Sequence, residues 1–425
     1  MNLPASPVPD LTRPDVLRAH IADTMAFYHP RAIDPAGGFF QYFRDDGSIY
    51  DRSHRHLVSS TRFVYDYAMA AAEFADSPLA PDYRAAAAHG VDYLRRVHRD
   101  PASGGYAWTL REAAPEDRTN HSYGLAFVLL AYASARKAGL DTAAWMDETW
   151  EVLETHAWDP AHGLYRDEAD TRWHYSDYRG QNANMHLCEA LIAAHEAGGD
   201  GRYLPRALQL AEHMTRRQAA LAGGLVWEHY RQDWSVDWDY HRDDPQHLFR
   251  PWGFQPGHQI EWAKLLLTLR THLGDAAPDW LLPTARHLYD TALAHGWDDV
   301  HGGIVYGFAP QALRERSPGP GEAAPDVASA PMYVCDVDKY FWVQAEAIAA
   351  AWRLYRATGL DRYRDDYLRL WDYAWRHFVD HDYGAWYRIL DRENNRYDDL
   401  KSPAGKTDYH TMGACHDVLA VMRGS

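Results

Sequence analysis

Asp298-Asp-Val-His-Gly-Gly-Ile-Val-Tyr306 is one of six copies of a short pattern, in which a turn residue and one or two glycines precede an alternating segment rich in aromatic residues. Counted by their glycines, the copies follow one another at intervals of 67, 58, 61, 79 and 81 residues. A repeat of this kind indicates a repetitive architecture before any single residue is interpreted. The other copies are Asp34-Pro-Ala-Gly-Gly-Phe-Phe-Gln-Tyr-Phe43, Asp100-Pro-Ala-Ser-Gly-Gly-Tyr-Ala-Trp108, Asp159-Pro-Ala-His-Gly-Leu-Tyr165, Ala222-Gly-Gly-Leu-Val-Trp227 and Asp382-Tyr-Gly-Ala-Trp-Tyr387.

Long amphipathic segments separate the copies, and each interval has room for about two helices. Glycine supplies a turn, and the alternation after it predicts a short strand. Six helical pairs, each with a small hairpin at one end, predict an all-α (α/α)6 barrel that forms one catalytic domain over Met1–Ser425. The twelve predicted helices are Arg13–Phe27, Ser59–Phe74, Tyr83–Val97, His121–Ala138, Ala143–His156, Asn184–Glu196, Tyr203–Arg217, Gly257–Leu273, Pro283–His295, Tyr340–Thr358, Tyr363–Phe378 and Tyr409–Met422.

The composition restricts the classes of partner and the compartment. A formal net charge of −17 argues against nucleic acid or an anionic membrane surface as a partner. Three scattered cysteines, Cys188, Cys335 and Cys415, are typical of reduced thiols, and no signal peptide or apolar span is visible. The expectation is therefore a cytoplasmic protein, whose oligomeric state the sequence leaves open. The Pro/Gly-rich segment Ser317–Pro325 is predicted to be a loop insertion in the fifth repeat.

Polar residues interrupt the apolar pattern near four predicted helix starts, where helix N-termini of one ring can converge. His186 and Glu189, and likewise His258 and Glu261, share the spacing His-x-x-Glu, which places both side chains on one helix face. A carboxylate in that position could orient the imidazole and raise its basicity, although an ordinary structural hydrogen bond has the same spacing. Arg62 heads an apolar helix face, so its guanidinium needs an internal partner or a substrate oxygen.

At these residues the chain resembles the N-acylglucosamine 2-epimerase superfamily, and within it the branch of D-mannose and sulfoquinovose isomerases. The resemblance covers nearly the whole chain, and its motifs are specific only in combination. The motifs are Arg55-His-Leu-Val-Ser-Ser-Thr-Arg-Phe63, Asn182-Ala-Asn-Met-His186, Gly257-His-Gln-Ile-Glu-Trp262, Asp338-Lys-Tyr-Phe-Trp-Val-Gln-Ala-Glu346 and Tyr409-His410.

The resemblance implies an (α/α)6 barrel and a reaction that moves a proton at C1 and C2 of a monosaccharide through an enediolate. It implies that His258 and His410 transfer the proton and that Arg62 and Asn182 bind substrate oxygens. It further implies that His186 contacts the sugar and assists ring opening. For the remaining site residues it implies a binding or orienting role for Glu261 and Glu346, and a wall of the site for Trp342.

The expected reaction is the interconversion of D-mannose and D-fructose, with D-lyxose and D-xylulose as a second pair. The alternatives are a C2 epimerase acting on mannose, glucose or cellobiose, and a sulfoquinovose isomerase. No cofactor and no metal are expected, because neither a nucleotide-binding fingerprint nor a His-Glu-x-x-His motif occurs. Two other classes remain open: a sugar- or protein-binding module, and a glycoside hydrolase whose candidate carboxylates are Asp237, Asp239 and Asp336.

Overall fold

Twelve long α-helices form two concentric rings in the structure, a computed structural model that describes residues 7–247, 249–315 and 330–424. All helices are numbered in chain order. The inner ring contains α2 (Leu57–Glu73), α4 (Ser122–Lys137), α6 (Gln181–Glu196), α9 (Pro256–Leu273), α12 (Phe341–Thr358) and α14 (Tyr409–Arg423). The outer ring contains α1 (Pro14–Tyr28), α3 (Ala80–Tyr93), α5 (Ala143–Val152), α7 (Tyr203–Glu212), α10 (Leu281–Gly296) and α13 (Asp361–His377). Two short helices are α8 (Ala219–Leu221) and α11 (Gln311–Glu315).

The inner ring is closed. Each inner helix contacts the next one along the chain, and α14 returns to contact α2. Each inner helix also packs on one outer helix, so that α1 covers α14 and the other five pairs are neighbours in sequence. The predicted (α/α)6 barrel is therefore confirmed.

The two rings differ in sequence because they differ in burial. In α4 the run 124–135 is buried without interruption, as expected for a helix that is surrounded by other helices. In α13 the buried residues Tyr363, Tyr367, Leu370, Trp371 and Ala374 follow the helical period and form a single stripe facing inward.

The predicted helices are found with shifts of a few residues at their ends. The largest differences lie at the ends of α3, α5 and α7, where the last turn widens into a π-helix at Leu94–His98, Leu153–Ala157 and His213–Gln218. The predicted insertion Ser317–Pro325 lies outside the described residues. Within the described part of the chain, no helix combines the length and apolar character needed to cross a membrane.

Short antiparallel strands lie at the end of the barrel where the inner helices begin. The strands are β1 (Tyr42–Arg44), β2 (Ile49–Asp51), β3 (His54–His56), β4 (Thr109–Arg111), β5 (Ala114–Asp117), β6 (Asn120–His121), β7 (Trp158–Asp159), β8 (Leu164–Tyr165), β9 (Glu168–Ala169), β10 (Arg179–Gly180), β11 (His229–Tyr230), β12 (Gly307–Pro310), β13 (Met332–Asp336), β14 (Lys339–Tyr340), β15 (Ile389–Leu390) and β16 (Leu400–Ser402). They pair as β16–β1–β2, β3–β4–β5, β6–β9, β7–β8, β10–β11, β12–β13 and β14–β15. The β1–β16 pair joins the two ends of the chain, with Phe43 opposite Ser402.

Five of the six repeated segments form the predicted tight hairpin turns, whereas the fourth, Ala222-Gly-Gly-Leu-Val-Trp227, has no such flanking pair among the described residues. Gly303 shows why the pattern needs glycine, because its φ of 80° is left-handed and an added Cβ would lie 2.3 Å from Tyr373 Cζ. The paired residues that flank these turns are Ile33 and Phe39, Arg99 and Tyr106, Trp158 and Tyr165, Trp297 and Ile304, and Val379 and Trp386.

Amide side chains of three inner helices fasten the repeated segments to the barrel. Gln344 of α12 accepts a hydrogen bond from the Ile304 N–H (3.0 Å) and donates one to the Ile304 carbonyl (2.9 Å). Asn184 of α6 binds both backbone groups of Tyr165 in the same manner, and Gln259 of α9 binds those of Val226. Each amide thus binds one buried backbone N–H and one buried C=O that form no hydrogen bond to a paired strand.

Replacing Gln344 by methionine tests the energetic weight of these amide clamps. Gln344 is fully buried, so Gln344→Met leaves both backbone groups of Ile304 buried without that partner. We expect the free energy of unfolding to fall by about 2–5 kcal/mol, the sum of two such losses. Urea unfolding at equilibrium measures the change.

The matched control is Gln232→Met, which makes the same chemical change at an exposed position of a turn. The urea concentration at the midpoint of unfolding should be the same for this variant as for the wild type. Equal stability of the two variants would show that the clamp at Ile304 contributes nothing.

Candidate active site

The predicted site residues meet at one end of the barrel. Each inner helix runs opposite to the outer helix before it, so all six inner helices begin at the same end. Four of them carry the residues within their first two turns, and α14 adds a fifth group at its start. The residues are Arg62 on α2, Asn182 and His186 on α6, His258 and Glu261 on α9, Trp342 and Glu346 on α12, and His410 on α14.

The indole of Trp342 lies between the two histidines predicted to transfer protons. Its ring centroid is 5.1 Å from that of His258 and 5.6 Å from that of His410, with interplanar angles of 33° and 36°. Gly257 makes this approach possible, because an added Cβ would lie 2.5 Å from the indole. The rings of His258 and His410 therefore both pack against the Trp342 indole.

His258 is oriented by a carboxylate from a neighbouring segment. Its Nδ1 donates to Glu228 Oε2 at 2.9 Å, and the same oxygen accepts a hydrogen bond from Gln181 Nε2 at 3.0 Å. Trp262 in turn donates to Gln181 Oε1 at 2.8 Å. Because Nδ1 is the donor, Nε2 of His258 is left as the proton acceptor of the neutral ring.

His410 has a second carboxylate of its own. Its Nδ1 donates to Glu346 Oε1 at 2.7 Å, and Lys264 Nζ lies 2.5 Å from Glu346 Oε2. Burial lowers the pKa of the His410 imidazole well below its usual value. The ring is therefore neutral at pH 7, and the proton on Nδ1 again leaves Nε2 as an acceptor.

His186 lies deeper in the same cluster and also has a carboxylate partner. Its Nδ1 donates to Glu189 Oε2 at 2.9 Å, and its ring centroid is 6.4 Å from that of His410. Burial alone would raise the pKa of Glu189, but the hydrogen bond from His186 and the charge of Lys264 lower it to about 2. The predicted pairing of His186 with Glu189 is confirmed.

The analogous pairing of His258 with Glu261 is wrong. Glu228 takes that place, and Glu261 instead lies 3.8 Å from His186 Nδ1. Among the described residues, neither oxygen of Glu261 has a hydrogen-bond partner. Burial and the adjacent charge of Glu346 raise the pKa of Glu261 well above its usual value.

Two groups that sequence reasoning missed therefore belong to the site, namely Glu228 and Lys264. Glu228 directly follows Trp227, the last residue of the fourth repeated segment. The alternating pattern of that segment could therefore have indicated Glu228 as a candidate. Lys264 lies one helical turn beyond Glu261 on α9, on a face that the helical period groups with Glu261. Their partners come from other elements, however, and sequence spacing does not indicate them.

Arg62 points into the site and is held by neutral partners. Its Nη1 donates to the Gly405 carbonyl at 2.6 Å, and its Nη2 donates to the Tyr123 hydroxyl at 3.2 Å. The guanidinium also lies over the rings of Phe127 and Tyr409, at 4.4 and 4.9 Å from their centroids. With no carboxylate as a hydrogen-bond partner among the described residues, the charge remains available to a substrate oxygen.

Asn182 provides a further polar group near the start of α6. Its Oδ1 is buried and has no hydrogen-bond partner within the described chain. A buried carbonyl oxygen of this kind costs free energy unless a ligand or water completes it. This geometry fits the substrate-binding role that the resemblance implies.

Two groups of side chains are close enough to be considered as metal ligands. His186, Glu189 and Glu261 form one, and Glu261, Glu346 and His410 form the other, with ligand atoms within 4.8 Å of one another. The Lys264 ammonium already supplies positive charge beside Glu346 and would repel a divalent cation. The residues fit a charge-balanced, hydrogen-bonded cluster, and the expected absence of a metal stays a prediction.

The three carboxylates considered for a hydrolase have contacts of their own. Asp336 accepts a hydrogen bond from Gln246 at 3.1 Å. Asp237 and Asp239 form ion pairs with the guanidinium groups of Arg231 and Arg242, at 3.6 and 3.3 Å. None of these contacts involves the histidine cluster, so the carboxylates that could act there are Glu189, Glu228, Glu261 and Glu346.

The chain is similar along most of its length to known sugar isomerases and epimerases. A D-mannose isomerase of Marinomonas mediterranea is 52% identical over 409 residues, which cover 96% of this chain and 97% of that protein. A D-mannose isomerase of Thermobifida fusca is 38% identical over 73% of this chain and 72% of its own length. A cellobiose 2-epimerase of Eubacterium cellulosolvens is 22% identical, with 93% and 95% of the two chains covered.

Solved structures extend the same likeness to the fold. The crystal structure of a D-mannose isomerase superimposes with a TM-score of 0.89 at 51% identity, over 97% of this chain and 99% of that chain. The cellobiose 2-epimerase of Spirochaeta thermophila has a TM-score of 0.79 at 22% identity, over 98% and 99%. Residues 38–414 match the family described as N-acylglucosamine 2-epimerase (GlcNAc 2-epimerase). The chain therefore belongs to the N-acylglucosamine 2-epimerase family.

Proposed function

We propose that the protein is an aldose–ketose isomerase that interconverts D-mannose and D-fructose, with D-lyxose and D-xylulose as a second pair. The observation that carries this proposal is the 52% identity to a D-mannose isomerase along nearly the whole chain. Cellobiose 2-epimerases are only 21–22% identical over similar lengths. The geometry supports the chemistry that both reactions share, namely proton transfer at C2 of an open-chain sugar.

Two proton acceptors face the substrate in this proposal. One histidine takes the proton from C2 of the aldose, which leaves a cis-enediolate with its negative charge on the oxygen at C1. Transfer of the C2 hydroxyl proton to that oxygen moves the charge to the oxygen at C2, and return of a proton to C1 then gives the ketose. His258 and His410 suit this task because each has its Nδ1 bound to a carboxylate, which leaves Nε2 free to accept a proton.

The carboxylate partners stabilise the protonated form of each base. When Nε2 takes the C2 proton, the imidazolium that forms is beside Glu228 or Glu346. Burial lowers the pKa of His410 before reaction, so the ring begins neutral, and the carboxylate offsets the charge that it acquires. A neutral imidazole with such a partner is a suitable general base near pH 7.

Arg62 and Asn182 bind the oxygens on which charge develops. The Arg62 guanidinium has no carboxylate hydrogen-bond partner in the described chain, so its field acts on an enediolate oxygen. His186, held by Glu189, contacts the sugar and assists opening of the ring. Glu261 and Glu346 act from beneath the histidines as binding or orienting groups, and Trp342 limits one face of the site.

The epimerase and sulfoquinovose alternatives differ from this proposal in product or in substrate. A C2 epimerase returns the proton to the opposite face of C2, which two bases on either side of Trp342 would also allow. The proposed partner is a monosaccharide alone, without nucleic acid or membrane, in a cytoplasmic protein whose oligomeric state is open. The whole chain acts as one catalytic domain.

Incubation with D-mannose in deuterated water tests the function directly. We expect NMR to detect D-fructose that carries deuterium at C1, because the base exchanges its proton with solvent before returning it. D-glucose deuterated at C2, without fructose, would instead establish the epimerase. No conversion of mannose, with turnover of sulfoquinovose, would support the third reaction.

Removal of either proposed base should abolish turnover without unfolding the protein. We expect His258→Asn and His410→Asn each to lower kcat for D-mannose by a factor of about 10² to 10⁴. The control is His416→Asn, which removes a second buried histidine of α14 that lies two turns beyond His410. Full activity in both site variants, each with a wild-type circular dichroism spectrum, would refute the two-histidine mechanism.

Activity should not depend on a metal ion. The reason is that Arg62 and Lys264 supply the positive charge at the site, and Lys264 opposes a divalent cation at the carboxylates. Exhaustive dialysis against EDTA should therefore leave kcat and KM for D-mannose unchanged. Inactivation that a divalent ion reverses would contradict this expectation.

A further inference from the structure

Lys264 is a buried lysine that none of the proposed chemical steps uses. It lies on α9, six residues beyond His258, which is about 9 Å deeper along the helix axis. Only 11% of its side chain is exposed, and its ammonium lies 2.5 Å from Glu346 Oε2. Glu346 binds His410 through its other oxygen, so His410, Glu346 and Lys264 form a continuous relay.

Carboxylates from four inner helices surround this ammonium. Burial alone would lower the pKa of Lys264, but these carboxylates outweigh burial and raise it, so the side chain is charged at every pH of interest. The acidic groups are Glu189 on α6, Glu261 on α9, Glu346 on α12 and Asp417 on α14. The other titratable or charged groups that act on this cluster are Arg62 and Tyr65 on α2, Tyr123 on α4, His186 on α6, His258 on α9, Arg353 on α12, and Tyr409 and His410 on α14.

Asp417 does not need Lys264 as its ion-pair partner. Arg353 already binds that carboxylate through two hydrogen bonds, from Nε at 2.6 Å and from Nη2 at 2.5 Å. Glu189 is likewise bound by His186, and burial raises the pKa of Glu261 well above its usual value. The group that depends on Lys264 for its negative charge is Glu346.

We propose that Lys264 is a positioning residue for proton transfer: its ammonium holds Glu346 as a carboxylate and thereby keeps His410 in the tautomer whose Nε2 accepts a proton. The inference rests on the proposed role of His410. A protonated Glu346 would donate its own hydrogen to His410 Nδ1. The imidazole would then carry its proton on Nε2, the atom that faces the substrate, and could not act as a base.

Loss of the ammonium has a predictable sign. Burial raises the pKa of Glu346, and Lys264 is the nearest charge that opposes this effect. Without it the pKa of Glu346 rises further, and the pKa of His410 also rises because a nearby positive charge is gone. Both changes leave His410 unable to accept a proton at low pH. The acidic limb of the kcat profile, in which kcat falls as the pH is lowered, therefore moves to higher pH.

The variant that tests the proposal is Lys264→Met, which keeps the length of the side chain and removes its charge. We expect the acidic limb of the kcat profile for D-mannose to move up by about one to three pH units. KM at the pH optimum should stay near its wild-type value, because the ammonium lies beneath the histidines. Lys264→Arg should restore most of the wild-type profile.

The matched control is Lys401→Met, which removes a fully buried ammonium from an ion pair with Asp380, outside the histidine cluster. It should lower the melting temperature and leave the pH profile in place. If Lys264→Met does not fold, Lys264→Gln makes the same change in charge with a polar side chain. An unmoved acidic limb in a folded, neutral Lys264 variant would overturn the proposal.

Nitrogen-15 NMR of the histidine rings gives a readout that does not depend on turnover. The His410 signals, assigned by their loss in His410→Asn, should report a proton on Nδ1 in the wild type and on Nε2 in Lys264→Met. An unchanged tautomer would overturn the proposal even if kcat fell. Failure of the proposed function would appear differently, as a wild-type protein that leaves D-mannose unchanged.

Discussion

Buried backbone groups at the barrel mouth impose the constraint on which the rest of the structure depends. In the tightly turned repeated segments, some backbone N–H and C=O groups make no hydrogen bond to another strand. These groups are buried and therefore need other hydrogen-bond partners. Asn184, Gln259 and Gln344 supply these partners from the inner helices. Each amide stands within two residues of a site group: Asn184 near His186, Gln259 beside His258, and Gln344 near Trp342 and Glu346. The hydrogen bonds that hold the hairpins thus also fix the rotation and depth of the helices that carry the chemistry.

The three histidines of the site share one design but have different surroundings. Each binds a carboxylate through Nδ1, and the three carboxylates come from a repeated segment, from the same helix and from a neighbouring helix. Of these three carboxylates, Glu346 alone has a lysine within ion-pair distance among the described residues. The three rings therefore differ in the charges that surround them. Glu261 is fully buried beside His186, and burial raises its pKa well above the usual value.

The ring architecture could be predicted from the sequence because its signal is periodic and local. The six glycine turns and the 3.6-residue pattern of helices such as α13 recur along the chain, and each copy supports the others. The site could be predicted in part, since His186 and Glu189 are neighbours on one helix. The same argument failed for His258, whose carboxylate is Glu228 from another segment 30 residues away. The two His-x-x-Glu pairs have the same spacing, so the sequence cannot distinguish them. The helical period shows only which residues of one helix are adjacent, and the packing between helices decides which side chains form hydrogen bonds.

The same barrel is found in proteins with other chemistry, and the state of the carboxylates explains why fold alone does not decide function. A family 76 glycoside hydrolase superimposes with a TM-score of 0.61 at 11% identity, a likeness of fold only. Hydrolysis of a glycoside uses two carboxyl groups that face the substrate. In this chain Glu189, Glu228 and Glu346 each bind an imidazole, and Glu261 lies fully buried among them. The groups presented to the mouth are therefore the histidine rings, the Arg62 guanidinium and the Trp342 indole. A surface of this composition can move a proton between adjacent carbons, whereas three of its carboxylates are already bound to imidazole rings.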